Sequence, residues 1–164
     1  MEFGKSAIKI QEHHDRISIW KLVVALMILP VLTTQAQKSI SISSDYPQYW
    51  SYTGQPTLLL GGSVEDNLFQ IPNLKQHLDL LKSAGGNYVR NTMSSRDSTN
   101  VWAFYFNEEK ALYDLSKWNE EYWNRFENFL KLTSERDIVV QIEIWATFDF
   151  YRAFWEKNPF NPKN

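Results

Sequence analysis

The sequence predicts an α/β protein, and within that class the N-terminal part of a (β/α)8 TIM barrel, about three βα units of it. Short apolar strands alternate with amphipathic helices along the chain, which argues for a parallel sheet with crossover helices. The connections that follow strands are long, whereas those that follow helices, Gly85-Gly86 and Arg136-Asp137, are short. Barrels show that asymmetry, with functional loops gathered at the C-terminal face. The rival open dinucleotide-binding sheet needs Gly-x-Gly-x-x-Gly after its first strand. Here Gly61-Gly62 is followed by acidic Glu65 and Asp66, which would repel phosphate.

Residues 1–37 read differently from the rest. Lys5, Lys9, Arg16 and Lys21 make a basic start, Leu22 to Leu32 an apolar run, and Thr33-Thr34-Gln35-Ala36-Gln37 a small and polar end. That order is the plan of a cleaved signal peptide. The apolar run also contains Pro30 and falls short of the ~20 residues a membrane span needs. Secretion or periplasmic export is the expected destination, with no membrane attachment after cleavage. No cysteine follows the run to carry a lipid, and none is present for disulfides.

The predicted division is therefore 1–37 signal peptide, 38–56 β lead-in and 57–164 partial barrel. In the lead-in, Ser39-Ile40-Ser41-Ile42 alternates as a strand, and Tyr46 to Tyr52 is a second candidate, turned by Gly54 and Pro56. Thr57-Leu58-Leu59-Leu60 is a continuous apolar run, suited to a strand buried on both faces. Leu74, Leu78 and Leu81 mark a helix over 73–84, stopped by Gly85-Gly86. Asn87–Asn91 is the next strand, and a polar, aromatic loop runs from Thr92 to about Leu115. Ser116 is the expected N-cap of a second helix with Tyr122, Phe126, Phe129, Leu130 and Thr133 as its buried stripe. Ile138–Ile144 is the third strand, followed by an aromatic loop with one helical turn near Arg152–Lys157. The three strands should lie parallel and adjacent in chain order, with both helices on one side.

Composition excludes some functions. Beyond residue 37 the chain keeps 13 basic and 16 acidic residues, no support for nucleic-acid binding. The three histidines show no metal-ligand spacing, and there is no Gly-x-Ser-x-Gly elbow or cysteine nucleophile. No cofactor is expected. The aromatic content, 23 residues of the last 127, suits either a large aromatic core or a site that stacks sugar rings.

Gly85-Gly86-Asn87-Tyr88-Val89-Arg90 resembles the second-strand signature, Gly-x-Asn-x-Val-Arg, of the retaining glycoside hydrolase clan of cellulase-like and β-galactosidase-like barrels. Tyr113-Asp114-Leu115 to Trp118 resembles that clan's lead-in to its second helix, and Arg136 to Val140 its approach to the third strand. Gly61 to Gln70 is similar to uncharacterised cellulase-like proteins of secreting bacteria. The resemblance covers roughly residues 56–164. It implies a carbohydrate substrate and two catalytic carboxylates ~5–5.5 Å apart, at the ends of the fourth and seventh strands, which this chain does not reach. No catalytic residue is thus expected here, and the chain alone should be inactive. A whole barrel takes about 250 residues.

The resemblance gives Arg90 the role of hydrogen-bonding the nucleophile; a structural ion pair is its other reading. Strand parity puts Gln141, Glu143 and Trp145 on one face and Val140, Ile142 and Ile144 on the other, so Glu143 should partner Arg90 or accept from a sugar hydroxyl. The candidate substrate-binding residues are Glu65, Asp66, Asn91, Arg96, Trp102, Glu143, Trp145, Asp149 and Trp155. Trp118 and Trp123 are assigned to the second helix and its core. A non-catalytic secreted carbohydrate-binding protein is the alternative function.

Overall fold

The structure is a computed structural model that describes residues 39–164 except Trp145. The expected signal peptide lies outside the described residues. No helix among the described residues is long and apolar enough to cross a membrane.

The lead-in is an antiparallel meander of β1 (Ile40–Ile42), β2 (Trp50–Tyr52) and β3 (Gln55–Thr57). Ile42 faces Trp50, which faces Thr57 across the sheet. Thr53 and Gly54, at φ 52° and 80°, make the tight β2–β3 turn, the positive-φ pair that two-residue hairpins favour. Pro56 sits on the edge strand, where a missing N–H costs no ladder bond.

This pairing corrects the expected first barrel strand. Thr57 belongs to the meander, and Leu58 and Leu60 are 58% and 53% exposed, so the run is not buried on both faces. Only Gly61 bridges in parallel, to Tyr88. The Asn87 side chain does the work of the missing ladder: Leu60 N donates to its Oδ1 (2.8 Å), and its Nδ2 donates to Leu58 O (3.0 Å).

Beyond Gly61, the helix α1 (Leu74–Ser83) leads to β4 (Tyr88–Thr92), and α2 (Glu120–Ser134) to β7 (Val139–Glu143). β4 and β7 pair in parallel from Tyr88↔Val139 to Thr92↔Glu143. The parallel segments therefore run Gly61, β4, β7 in chain order. Leu74 and Leu78 of α1, Tyr122 and Phe129 of α2, Val89 and Ile138 are buried together with Leu68 and Phe69. Phe69 is the hub, edge-on to Tyr122 (centroids 4.9 Å) and to Phe126 (5.6 Å). Truncating such an aromatic costs about 3–5 kcal/mol, more than an exposed ion pair contributes, about 1 kcal/mol or less. Aromatic packing, not surface charge, holds α2 to the sheet. Leu130 departs from the expected stripe and is 39% exposed.

The expected loop over 92–115 holds a hairpin, β5 (Phe104–Asn107) and β6 (Leu112–Trp118), with an irregularity between Phe104 and Tyr105. Ser116 consequently lies in β6, its N–H and Oγ both bonded to Asp114 Oδ1. The N-cap of α2 is Asn119, which accepts from Glu121 N. Trp118 is likewise on β6 and 62% exposed rather than in a helix core. Trp123 does lie on α2 and packs against the core. After β7 come a 3-10 turn (Thr147–Phe150) and a short helix α3 (Arg152–Trp155).

A Cβ on Gly61 would fall 1.6 Å from the Tyr88 carbonyl oxygen, which is backbone and cannot rotate away. Gly85, at φ 85°, has open space instead. In denaturant titrations Gly61→Ala should cost about 3 kcal/mol or more, and Gly85→Ala about 1 kcal/mol from conformational strain alone.

Candidate functional site

Five charged side chains join in a line at the C-terminal ends of the parallel segments. Arg90 of β4 grips Glu143 of β7 with two bonds, Nε to Oε1 (2.6 Å) and Nη2 to Oε2 (2.9 Å). Its Nη1 donates to Asp66 Oδ1 (3.1 Å). The other oxygen of Asp66 accepts from Arg96 Nη1 (2.8 Å), and Arg96 Nε donates to Asp149 Oδ1 (3.1 Å). The order is Glu143, Arg90, Asp66, Arg96, Asp149, alternating in sign, with three carboxylates against two guanidinium groups.

The backbone makes this meeting possible. Arg90 pairs in register with Gln141, so Glu143, two residues on, shares its face of the sheet. Thr92 N donates to Asp66 O (2.7 Å) and Met93 N to Glu143 O (3.0 Å), which brings all three strand ends together. Tyr88 Oη donates to Gln141 Oε1, and Gln141 Nε2 to Glu143 Oε1, so the Glu143 side chain is bonded from two sides.

The two ends of the line differ in environment. The Arg90–Glu143 pair is partly solvated. Arg96 and Asp149 have side chains only 13% and 4% exposed. The Arg96 guanidinium also lies 6.0 Å and 5.8 Å from the ring centroids of Phe148 and Phe154. Asp149 Oδ2 and Arg96 Nη2 are buried without a partner among the described residues. Hydrogen bonds from Arg90 hold the Glu143 carboxyl below the usual glutamate range, against a smaller opposing effect of burial. Those same bonds raise Arg90 above the usual arginine range. Burial, helped by the nearby Asp149 charge, pushes the Tyr122 phenol up.

The structure thus brings together Asp66, Arg90, Arg96, Glu143 and Asp149 of the expected residues. Asn91 is corrected: it is fully buried, its Oδ1 accepting from Phe69 N (2.9 Å) and its Nδ2 donating to Thr92 O (3.1 Å). Parity explains it, since position 91 faces the helices when 90 faces the charges. Glu65 is exposed and borders a separate groove with His77 and Asp97. Trp102 lies in the wall of an aromatic pocket next to Asp149, and Trp155 packs on Phe150 at 6.1 Å. Trp145 lies outside the described residues. Ser94 and Ser95 are buried, and Ser94 lies in the wall of the same aromatic pocket.

Gln70 was not legible as a site residue. Buried under the loop that carries Arg96, its Nε2 donates to Ser94 O (3.2 Å) and Ser95 Oγ (3.1 Å), and its Oε1 accepts from Val101 N (2.8 Å). A lone glutamine between two apolar stretches gives no signal of that role. Among the described residues no group of three or more His, Cys, Asp or Glu side chains is placed to hold a metal ion.

The lowered pKa of Glu143 makes stability depend on acid. The group binds its proton less readily folded than unfolded. Its stabilisation is therefore complete above the ordinary glutamate value of about 4.3 and is lost as pH falls through the lower folded value. Denaturation followed from pH 6 downward should show a loss of about 1 kcal/mol from this partly solvated pair. Glu143→Gln should remove that part of the acid sensitivity.

No protein-family model and no curated protein matches the chain. Among solved structures it is similar in fold to a putative glycoside hydrolase from Bacteroides vulgatus, with a TM-score of 0.55 and 11% sequence identity over 73% of this chain. The match spans 26% of that protein's own chain, so this chain corresponds to about a quarter of it.

Proposed function

We propose that this chain supplies one wall of the sugar-binding cleft of a secreted glycoside hydrolase, built as the first part of a (β/α)8 barrel. The observation that carries this reading is the line of charges from Glu143 to Asp149 at the C-terminal ends of parallel strands. That is the end of a barrel where active sites are built. The fold likeness to a putative glycoside hydrolase nearly three times as long supports it, as does the basic–apolar–small order of residues 1–37.

The chemistry assigns roles. Arg90 uses three of the five guanidinium donors on Asp66 and Glu143. It would offer the remainder to a nucleophilic carboxylate from another strand, keeping it ionised. Glu143 is held ionised by Arg90, so it serves as an acceptor for sugar hydroxyls and not as the protonated acid that cleavage requires. The excess of carboxylates favours a neutral polyol over an anionic ligand and suits the positive charge that develops on a sugar ring during hydrolysis.

The second reading, a non-catalytic carbohydrate-binding protein, draws on exposed Trp118, which stacks on Phe104 at 5.1 Å and 22° and offers a flat ring to solvent.

The test uses the 164-residue chain with aryl glycosides and with cello- and xylo-oligosaccharides. Under the cleft reading the chain hydrolyses none of them and binds oligosaccharide weakly, and Arg90→Ala or Asp66→Ala lowers that binding about ten-fold, the loss of one or two charge-assisted bonds. Binding lost in Trp118→Ala but kept in Arg90→Ala supports the second reading. Hydrolysis that disappears in Glu143→Gln would overturn the assigned role of Glu143.

A further inference from the structure

Next to Asp149 lies a pocket of about 180 Å³. Trp102, Phe104 and Trp118 wall it from the hairpin region, Tyr122 and Trp123 from the start of α2, and Phe160 from the C-terminal turns. The rings brace one another. Phe104 stacks on Trp118, Phe160 meets Phe104 edge-on at 5.5 Å, and Trp118 meets Trp123 edge-on at 5.1 Å. An apolar cavity of about 150 Å³ is enough to hold benzene, so this pocket takes one six-membered ring with a small substituent.

Nearly every buried polar atom in the wall is already partnered. Tyr122 Oη donates to Met93 O (2.6 Å), Trp123 Nε1 to Ala103 O (3.2 Å), and Asn158 Nδ2 to the Asp149 backbone carbonyl (2.9 Å). Asn158 Oδ1 accepts from Phe160 N (2.9 Å), and the Ser94 and Thr92 hydroxyls bond each other. Asp149 Oδ2 is the exception. It belongs to a side chain 4% exposed and has no donor among the described residues. A buried carboxylate oxygen without a donor is costly, and a hydroxyl from a ligand would relieve it.

We propose that this pocket binds a hydroxyphenyl ring, with the ring among Trp102, Phe104 and Trp118 and its hydroxyl donating to Asp149 Oδ2. The wall itself discriminates. A pyranose brings several hydroxyls, and among the described residues the aromatic wall has one buried unpartnered acceptor to offer, so the others would lose water without replacement. A plain benzene ring fits but leaves Asp149 unpaired. An anion is repelled by the carboxylate. The ligand class is thus a phenol, either free or carried as a hydroxyaryl group on a sugar. Ring binding needs no hydrolysis, so this inference stands or falls apart from the cleft reading, with which it shares only Asp149.

The test is direct binding to the full chain, by calorimetry or ligand-observed NMR, of 4-methylphenol, toluene and methyl β-glucopyranoside. 4-Methylphenol should bind about ten-fold or more tighter than toluene, the worth of one hydrogen bond to a charged acceptor, and methyl glucoside should not displace it. Ala103→Leu, which fills the pocket from a wall position whose bonds are made by backbone, should abolish binding of both aromatic probes. Asp149→Ala should bring their affinities together. If that variant fails to fold, the ratio measured on the unaltered chain still decides. 4-Hydroxyphenyl β-glucopyranoside separates the sources: tighter binding than 4-methylphenol indicates a sugar-borne ring, weaker binding a free phenol. Equal affinity for 4-methylphenol and toluene, displacement by methyl glucoside, or undiminished binding in Ala103→Leu would overturn the proposal.

Discussion

Asp66 accepts one hydrogen bond from Arg90 and one from Arg96, and the arrangement of the strand ends depends on that double acceptance. Its own carbonyl is tied to Thr92 N at the end of β4, so the carboxylate is placed by backbone before any charge acts. With Asp66 present, Arg90 and Arg96 share an anion. Without it, two guanidinium groups on adjacent segments would face each other, one of them largely buried. The cost would fall on the Arg96–Asp149 end. Breaking a buried ion pair there costs about 3–5 kcal/mol, whereas the solvated Arg90–Glu143 end contributes about 1 kcal/mol or less.

The apolar core and this charged line divide the labour. Phe69, Tyr122 and Phe129 fix α2 against β4 and β7, and they would do so whatever charges sat above. The hydrogen bonds that position the loops then grow out of the core: Asn91 and Gln70, both buried, hold the backbone of Phe69, Ser94 and Val101. Arg96 is thereby presented near the rings of Phe148 and Phe154. The site is consequently buried at Arg96 and Asp149 and solvated where a ligand would reach it, at Glu143, Arg90 and Asp66.

Much of this was legible in the sequence, and the failures have physical causes. Parity along β7 and the arginine of the neighbouring strand β4 were enough to pair Arg90 with Glu143, because strand geometry has a period of two. That Asp66 and Arg96 join them was not legible, since loops carry no periodicity from which a partner could be read. The same limit hid the β5–β6 hairpin. Phe104-Tyr105-Phe106 reads as an aromatic stretch of loop until its partner Leu112–Trp118 is found. With that strand overlooked, Ser116 stood as the nearest capping residue, although Asn119 has the same capping chemistry three positions on. Leu58–Leu60 misled for a different reason. An apolar run suits a strand covered on both faces, but Asn87 satisfies its backbone from one side and Leu58 and Leu60 stay more than half exposed.

The five charges act as one unit through Asp66. Among the described residues Glu143 and Asp149 do not bond to each other; the hydrogen bonds between them run by way of Arg90, Asp66 and Arg96. A double-mutant cycle of Glu143→Gln and Asp149→Asn, read by denaturant unfolding of the full chain, measures that link directly. The account predicts a coupling of about 1 kcal/mol that vanishes when the cycle is repeated in an Asp66→Asn background. Additivity to within about 0.3 kcal/mol in the unaltered background, the behaviour of independent sites, would contradict it.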